Sequence, residues 1–209
     1  KIIPTILSRC QIFDFSRIKV KDIADHLVDI AKKEKVKAEP EALHMIAMKA
    51  DGALRDALSV FDQIVTFSEN NITYQDVINN LHILDYDYFF KFTEFADKED
   101  IPSCLLLFNE IVENGFDSHN FINGLSSHYR NLLVCKNPKS ADLLEVPDGI
   151  KDKYLKQANE IDVNIIMRAL NALSKADVSY KSAKNQRLLV EVCLMELCSL
   201  KQEQEKKKP

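Results

Sequence analysis

The sequence predicts an all-α protein made of two successive helical bundles. Three observations carry that prediction. Turn formers are scarce, with 4 Gly and 6 Pro in 209 residues, too few for a compact all-β chain. Hydrophobic residues make up 46%, enough for a sizeable core. From residue 19 almost to the end, apolar residues recur at i, i+3, i+4 and i+7, the period of one helix face.

The elements follow in order. Ile12-Phe13-Asp14-Phe15 is the best strand candidate. It has no partner strand in this sequence and reads as the end of a sheet-containing region that lies elsewhere. The opening Lys1-Ile2-Ile3-Pro4-Thr5, apolar and without Met, reads either as an excised piece or as a processed or tagged chain. A first helix is expected on Ile23, Leu27, Ile30 and Ala31, ending in Lys32, Lys33, Lys35 and Lys37, cations that suit its C-terminal dipole. Pro40 suits the first turn of the next helix, striped by Leu43, Ile46, Ala47 and Ala50 and broken at Asp51-Gly52. Leu54, Leu58, Phe61 and Val65 mark another. Residues 70–73 read as a turn, with Thr73 as N-cap of a short helix to Asn80. The second bundle has helices expected near 86–96, 101–114, 118–134, 149–158, 162–180 and 186–200. Its late stripes are Ile165, Ala169, Ala172, Leu173, Ala176 and then Leu189, Val192, Cys193, Glu196, Leu197. Leu188 to Leu197 is apolar on more than one face, which suits either an interface or a fully buried helix. Residues 201–209 are charged and low in complexity and read as a disordered tail or the start of a linker.

Several chemistries are excluded. A net charge of −4 rules out wrapping DNA over the whole surface. The five cysteines, Cys10, Cys104, Cys135, Cys193 and Cys198, form no CxxC pair, so neither a disulfide framework nor a zinc site is expected, and free thiols suit a reducing cytosol. There is no GxxxxGK[ST] phosphate loop and no HExxH. The five His do not fall at ligand spacing, so no metal site is expected; His26 and His44 read as surface or core-edge residues. No apolar run approaches the ~20 residues of a membrane span, and no signal-peptide pattern is present.

Two arginines stand out. Arg55 follows the Gly52 break in the first turn of a helix, where a cation opposes the macrodipole. A phosphate there would be held by helix N-terminus and guanidinium together. The alternative is an exposed arginine offset by Asp51 and Asp56. Arg9 lies between an apolar turn and the candidate strand, on a junction that could aim it at a ligand, or as an ordinary surface cation.

The segment Pro4-Thr5-Ile6-Leu7-Ser8-Arg9-Cys10-Gln11, then Phe13-Asp14-Phe15, resembles the Ser-Arg-Cys segment of AAA+ clamp-loader subunits. Ala50 to Ser59, with Asp62-Gln63, resembles their sensor 2 helix, and order and spacing resemble the bacterial DNA polymerase III gamma/tau family. Arg187-Leu188-Leu189-Val190-Glu191-Val192 fits a weaker pattern in that family's third domain. The resemblance implies the end of an AAA+ core at 1–15, a lid bundle at 16–84, and a collar bundle for oligomerisation at 85–200. It implies that Arg9 acts as an arginine finger in trans, and that Arg55, as sensor 2 behind Gly52, senses ATP in its own subunit. ATP and Mg²⁺ would belong to the full-length protein. No cofactor and no activity are expected of this chain alone, since the family's P-loop, Walker B carboxylates and zinc cysteines are missing. Implied partners are delta, delta-prime and further gamma/tau subunits, with the sliding clamp and primed DNA met through the whole complex, in the bacterial cytoplasm at the replisome. Alternatives are delta-prime, a eukaryotic-type small subunit, or a helical scaffold unrelated to nucleotides.

Overall fold

The computed structural model describes residues 3–205 except 12, 14, 15, 69, 138, 141, 142 and 145. It is built almost wholly of helices and falls into two compact units, Lys1–Val77 and Ile78–Pro209. The candidate strand lies largely outside the described residues.

The first unit opens with the single turn α1 (Pro4–Leu7), exposed throughout. It continues with α2 (Val20–Lys33), β1 (Lys37–Ala38), α3 (Pro40–Lys49), α4 (Leu54–Phe67) and β2 (Asn71–Ile72). The division between units falls within α5 (Tyr74–Leu81). The core is Ile23 and Leu27 of α2, Leu43 and Ile46 of α3, and Phe61 and Ile64 of α4. On α4 the buried stripe is Ala57, Phe61 and Ile64; Leu54, Leu58 and Val65 are half-buried, so the inward face is rotated from the expected one.

Two local expectations change. The cationic end of α2 is shorter than expected, because Lys35 takes a left-handed conformation (φ 58°) and Val36 N–H donates back to Ala31 O at 2.8 Å. That closure ends a helix without glycine. It frees Lys37 to join a two-stranded parallel pair, with Lys37 opposite Asn71 and Ala38 opposite Ile72. Residues 71–72, expected as turn, are therefore strand; Asn70, at φ 64°, makes the turn. Thr73 does cap α5: its Oγ1 accepts from Asp76 N–H (3.2 Å), while the Asp76 carboxylate accepts from Thr73 N–H (3.1 Å) and hydroxyl (2.6 Å). This reciprocal box satisfies two backbone donors at once.

The second unit holds α6 (Tyr86–Asp97), α7 (Ile101–Glu113), α8 (Ser118–Cys135), α9 (Asp148–Glu160), α10 (Val163–Tyr180) and α11 (Gln186–Glu205). Asp85, Asp100, Asp117 and Asp162 cap α6, α7, α8 and α10, each carboxylate accepting from a first-turn N–H. The same four charges complement the helix dipoles. α8 packs along α10, with α11 against α10 and α7. Phe89, Phe92 and Phe108 all pack on Phe121, at centroid distances of 5.9, 5.9 and 5.7 Å. Gly124 makes room for this cluster, since a Cβ there would lie 2.3 Å from Phe89 Cζ.

The buried stripe of α11 is Val190, Cys193, Leu194, Leu197, Cys198 and Leu200, one step round from the expected one. Leu188 (51%) and Val192 (50%) are exposed instead. α11 also continues to Glu205, so residues 201–205, expected as tail, are helical. Lys201 Nζ reaches the Asp97 carboxylate at 3.2 Å and its carbonyl at 3.1 Å, and Gln202 donates to Glu99 at 2.7 Å. These contacts give the added turn its tertiary support.

Candidate functional site

Gly52 and Arg55 sit at the start of α4. The break before the helix is Asp51-Gly52, both at positive φ (47° and 84°). Gly52 is demanded twice over: by its left-handed backbone, and by Arg17, whose Cβ would stand 2.6 Å from an added Cβ. Ile18 N–H donates to Gly52 O at 3.2 Å, and Arg17 forms an ion pair with Asp51. The chain entering α2 is thus tied to the turn that launches α4.

That ion pair alters the charge balance expected around Arg55, because the Asp51 carboxylate faces Arg17. The Arg55 side chain is exposed, and among the described residues none forms an ion pair with it. The N-cap, Ala53, supplies no side-chain acceptor to the first turn. A guanidinium and an uncapped helix N-terminus therefore share one exposed corner, an arrangement that suits an anion.

Arg9 lies just beyond α1, exposed, its N–H donating to Ile6 O at 3.1 Å. The adjacent Ser8 hydroxyl donates to Thr5 O at 3.1 Å, closing the turn. Among the described residues no hydrogen bond or ion pair joins Arg9 to Gly52 or Arg55.

In the second unit, Arg187 and Glu191 of the C-terminal motif form an i,i+4 pair at 2.9 Å, and Arg187 also donates to Asn109 of α7 at 2.7 Å. The motif pins the start of α11 to α7. Sequence reading missed a buried network around His128, which is 1% exposed. Tyr154 hydroxyl lies 3.0 Å from Nδ1 and Gln157 Oε1 3.0 Å from Nε2, while Gln157 donates its own amide to Phe90 O at 3.0 Å. Gln157 Oε1 thus accepts from Nε2–H, leaving Nδ1 to accept from Tyr154. Desolvation drives the imidazole pKa down to about 3, against the opposing pull of Gln157, so the ring is neutral. A histidine amid an apolar helix pattern carries no signal that separates this role from a surface one.

A groove of about 540 Å³ runs between α6 and α9, lined in part by Phe90, Thr93, Lys153 and Gln157. Two of its lysines are paired, Lys153 with Asp87 at 2.8 Å and Lys98 with Glu94 at 2.5 Å. Among the described residues no three His, Cys, Asp or Glu side chains converge as metal donors, and no helix is long and apolar enough to cross a membrane.

The chain is similar to a solved Bacillus subtilis DNA clamp loader delta protein (YqeN), with a TM-score of 0.53 over 88% of this chain and 57% of that one, at 19% identity. Residues 22–70 match the DNA polymerase III clamp loader subunit ATPase lid domain, and residues 72–209 match domain III of DNA polymerase III subunits gamma and tau. The chain belongs to the gamma/tau family of DNA polymerase III subunits. It is 26% identical over 198 residues to the tau subunit of Bacillus subtilis, covering 95% of this chain and 35% of that protein. It is 38% identical over 146 residues to the gamma/tau subunit of Mycoplasma genitalium, covering 69% of this chain and 24% of that protein. The chain thus spans about a third or less of these relatives.

Proposed function

We propose that this chain is the lid and collar of an ATPase subunit of the DNA polymerase III clamp loader, which uses ATP to place the sliding clamp on primed DNA. The observation that carries the proposal is the exposed corner at the start of α4, where the Arg55 guanidinium has no ion-pair partner among the described residues and Ala53 leaves the first turn uncapped. Both groups suit a phosphate. Arg55 binds the terminal phosphate of ATP held in its own subunit. Gly52 fixes the turn that aims Arg55, and the Arg17–Asp51 and Ile18–Gly52 contacts tie that turn to the chain entering the lid. Arg9, exposed on its turn, reaches ATP held by the neighbouring subunit.

These residues fit the anionic end of a nucleotide and nothing more of it. The sequence contains no glycine-rich phosphate loop and no carboxylate pair for Mg²⁺ behind one. ATP with Mg²⁺, when bound in the ATPase core of the full-length protein, supplies the phosphoryl group whose hydrolysis drives the cycle. The second unit holds subunits together, with delta, delta-prime and further gamma/tau copies as partners, in the bacterial cytoplasm at the replisome. The exposed Leu188 and Val192 on α11 supply apolar surface for that assembly. The test is Arg55→Ala in the full-length protein assembled with its partners. ATP-dependent clamp binding should fall while the thermal midpoint stays put. A large loss of stability with unchanged ATP affinity would make Arg55 structural.

A further inference from the structure

Two cysteines meet in the core of the second unit. Cys104 of α7 and Cys198 of α11 lie with their sulfurs 3.3 Å apart, 94 positions apart in sequence. Their side chains are 0% and 1% exposed. Cys104 Sγ also lies 3.9 Å from Phe92 O. Cys10 is exposed, and Cys135 and Cys193 are buried; none of these three makes a sulfur–sulfur contact among the described residues.

We propose that Cys104 and Cys198 are a modification site, a dithiol that a two-electron oxidant of the peroxide class closes to an intramolecular disulfide clamping α7 to α11. A disulfide needs a sulfur separation of about 2.0 Å, so roughly 1.3 Å must be closed between two helices already packed together. The reaction balances in two steps. A thiolate sulfur attacks one peroxide oxygen, the O–O bond breaks, and hydroxide leaves a sulfenic acid. The second sulfur then attacks the first, the S–O bond breaks, and the departing oxygen leaves as water with the remaining proton. In sum, two thiols and one hydrogen peroxide give one disulfide and two waters. The two thiols share one hydrogen bond, so either sulfur can make the first attack and the other resolves the sulfenic acid. Burial limits the first step to moments when α11 opens locally, so Cys10 reacts sooner.

The experiment treats the native chain with hydrogen peroxide, blocks remaining thiols by alkylation, and maps peptides by mass without reduction. The expected product is a Cys104–Cys198 linked peptide carrying two fewer hydrogens, appearing after Cys10 is consumed. The thermal midpoint should rise by roughly 4–16 °C, because a cross-link spanning most of the unit restricts its unfolded state, and dithiothreitol should reverse the rise. Cys10→Ser should keep both effects, while Cys104→Ala and Cys198→Ala should each abolish them. The wild-type peptide map decides the matter even if the latter variants fold poorly. The proposal fails if Cys104 and Cys198 are recovered as free thiols after prolonged exposure, if they pair at random with the other cysteines, or if the linked protein melts no higher.

Discussion

His128 shows how one side chain links burial to pH. Its imidazole is sealed between Tyr154 and Gln157 and stays neutral until about pH 3. In the unfolded chain an imidazole takes its proton near pH 6.5. Above that pH neither state binds the proton, and stability is unaffected. As pH falls below it the unfolded state gains a proton that the folded state refuses, so stability is lost, by about 2 kcal/mol between pH 7 and 5. Urea unfolding across this range should show the loss, and His128→Asn should flatten it. An unchanged slope in the variant would assign the acid sensitivity elsewhere. Gly124 gives a steric counterpart. Alanine is the better helix former by about 1 kcal/mol, yet its Cβ would press into the Phe89 ring. That ring is held against Phe121 and His128, at 5.9 and 6.1 Å, and has little room to swing. Overpacking of this kind costs about 1–3 kcal/mol, so Gly124→Ala should lower the urea midpoint despite its helix propensity.

Four helices of the second unit were legible because they begin on local chemistry. Asp85, Asp100, Asp117 and Asp162 cap them, and the breaks at residues 98–100 and 114–115 fall where the chain turns. Thr73 and Asp76 make the same point for α5, whose first turn they hold in a reciprocal box. Thr73→Ala should cost about 1 kcal/mol of stability, read from the urea midpoint, and Thr73→Ser should restore most of it. What was not legible has physical reasons. Strands of two residues, such as 37–38 and 71–72, are too short to show alternation, and their pairing joins segments far apart in sequence. The inward faces of α4 and α11 differ from the expected ones because both helices carry apolar residues on adjoining faces, and only packing decides which is buried. The last turn of α11 has no apolar periodicity at all; Lys201 and Gln202 are held by side chains at the end of α6 and just beyond it. At the candidate site the motifs single out Arg9, Gly52 and Arg55 as candidates, and the turn at Asp51-Gly52 falls where the sequence breaks the helix. The Arg17–Asp51 pair could not be read there, since nothing in the sequence joins residues 17 and 51 before the chain has folded.

The chain as a whole is two separately packed units, and an arginine singled out for nucleotide chemistry lies in the first, while the apolar α11 surface lies in the second. Assembly and ATP sensing should therefore be separable by mutation. Leu188→Glu with Val192→Glu, both on exposed positions, should weaken association with other loader subunits, measured by mass in solution, with little change in thermal midpoint. An equal loss of stability would place these side chains in the fold. The central proposal is that Arg9 serves the neighbour's ATP and Arg55 its own. Arg9→Ala in the full-length protein should leave each subunit's own ATP binding nearly intact while cutting turnover in the assembled loader. An arginine supplied across an interface is worth roughly 10³–10⁵ in rate in GTPases, and a smaller factor is expected where clamp and DNA binding limit the cycle. The most direct measurement is ATP turnover in mixed assemblies, with assembly verified by mass. One subunit carries an intact Arg9 and a disabled phosphate loop, and its neighbour carries Arg9→Ala and a working loop. Recovery of turnover in the mixture is the expected result, and its absence in fully assembled complexes would contradict an action of Arg9 across the interface.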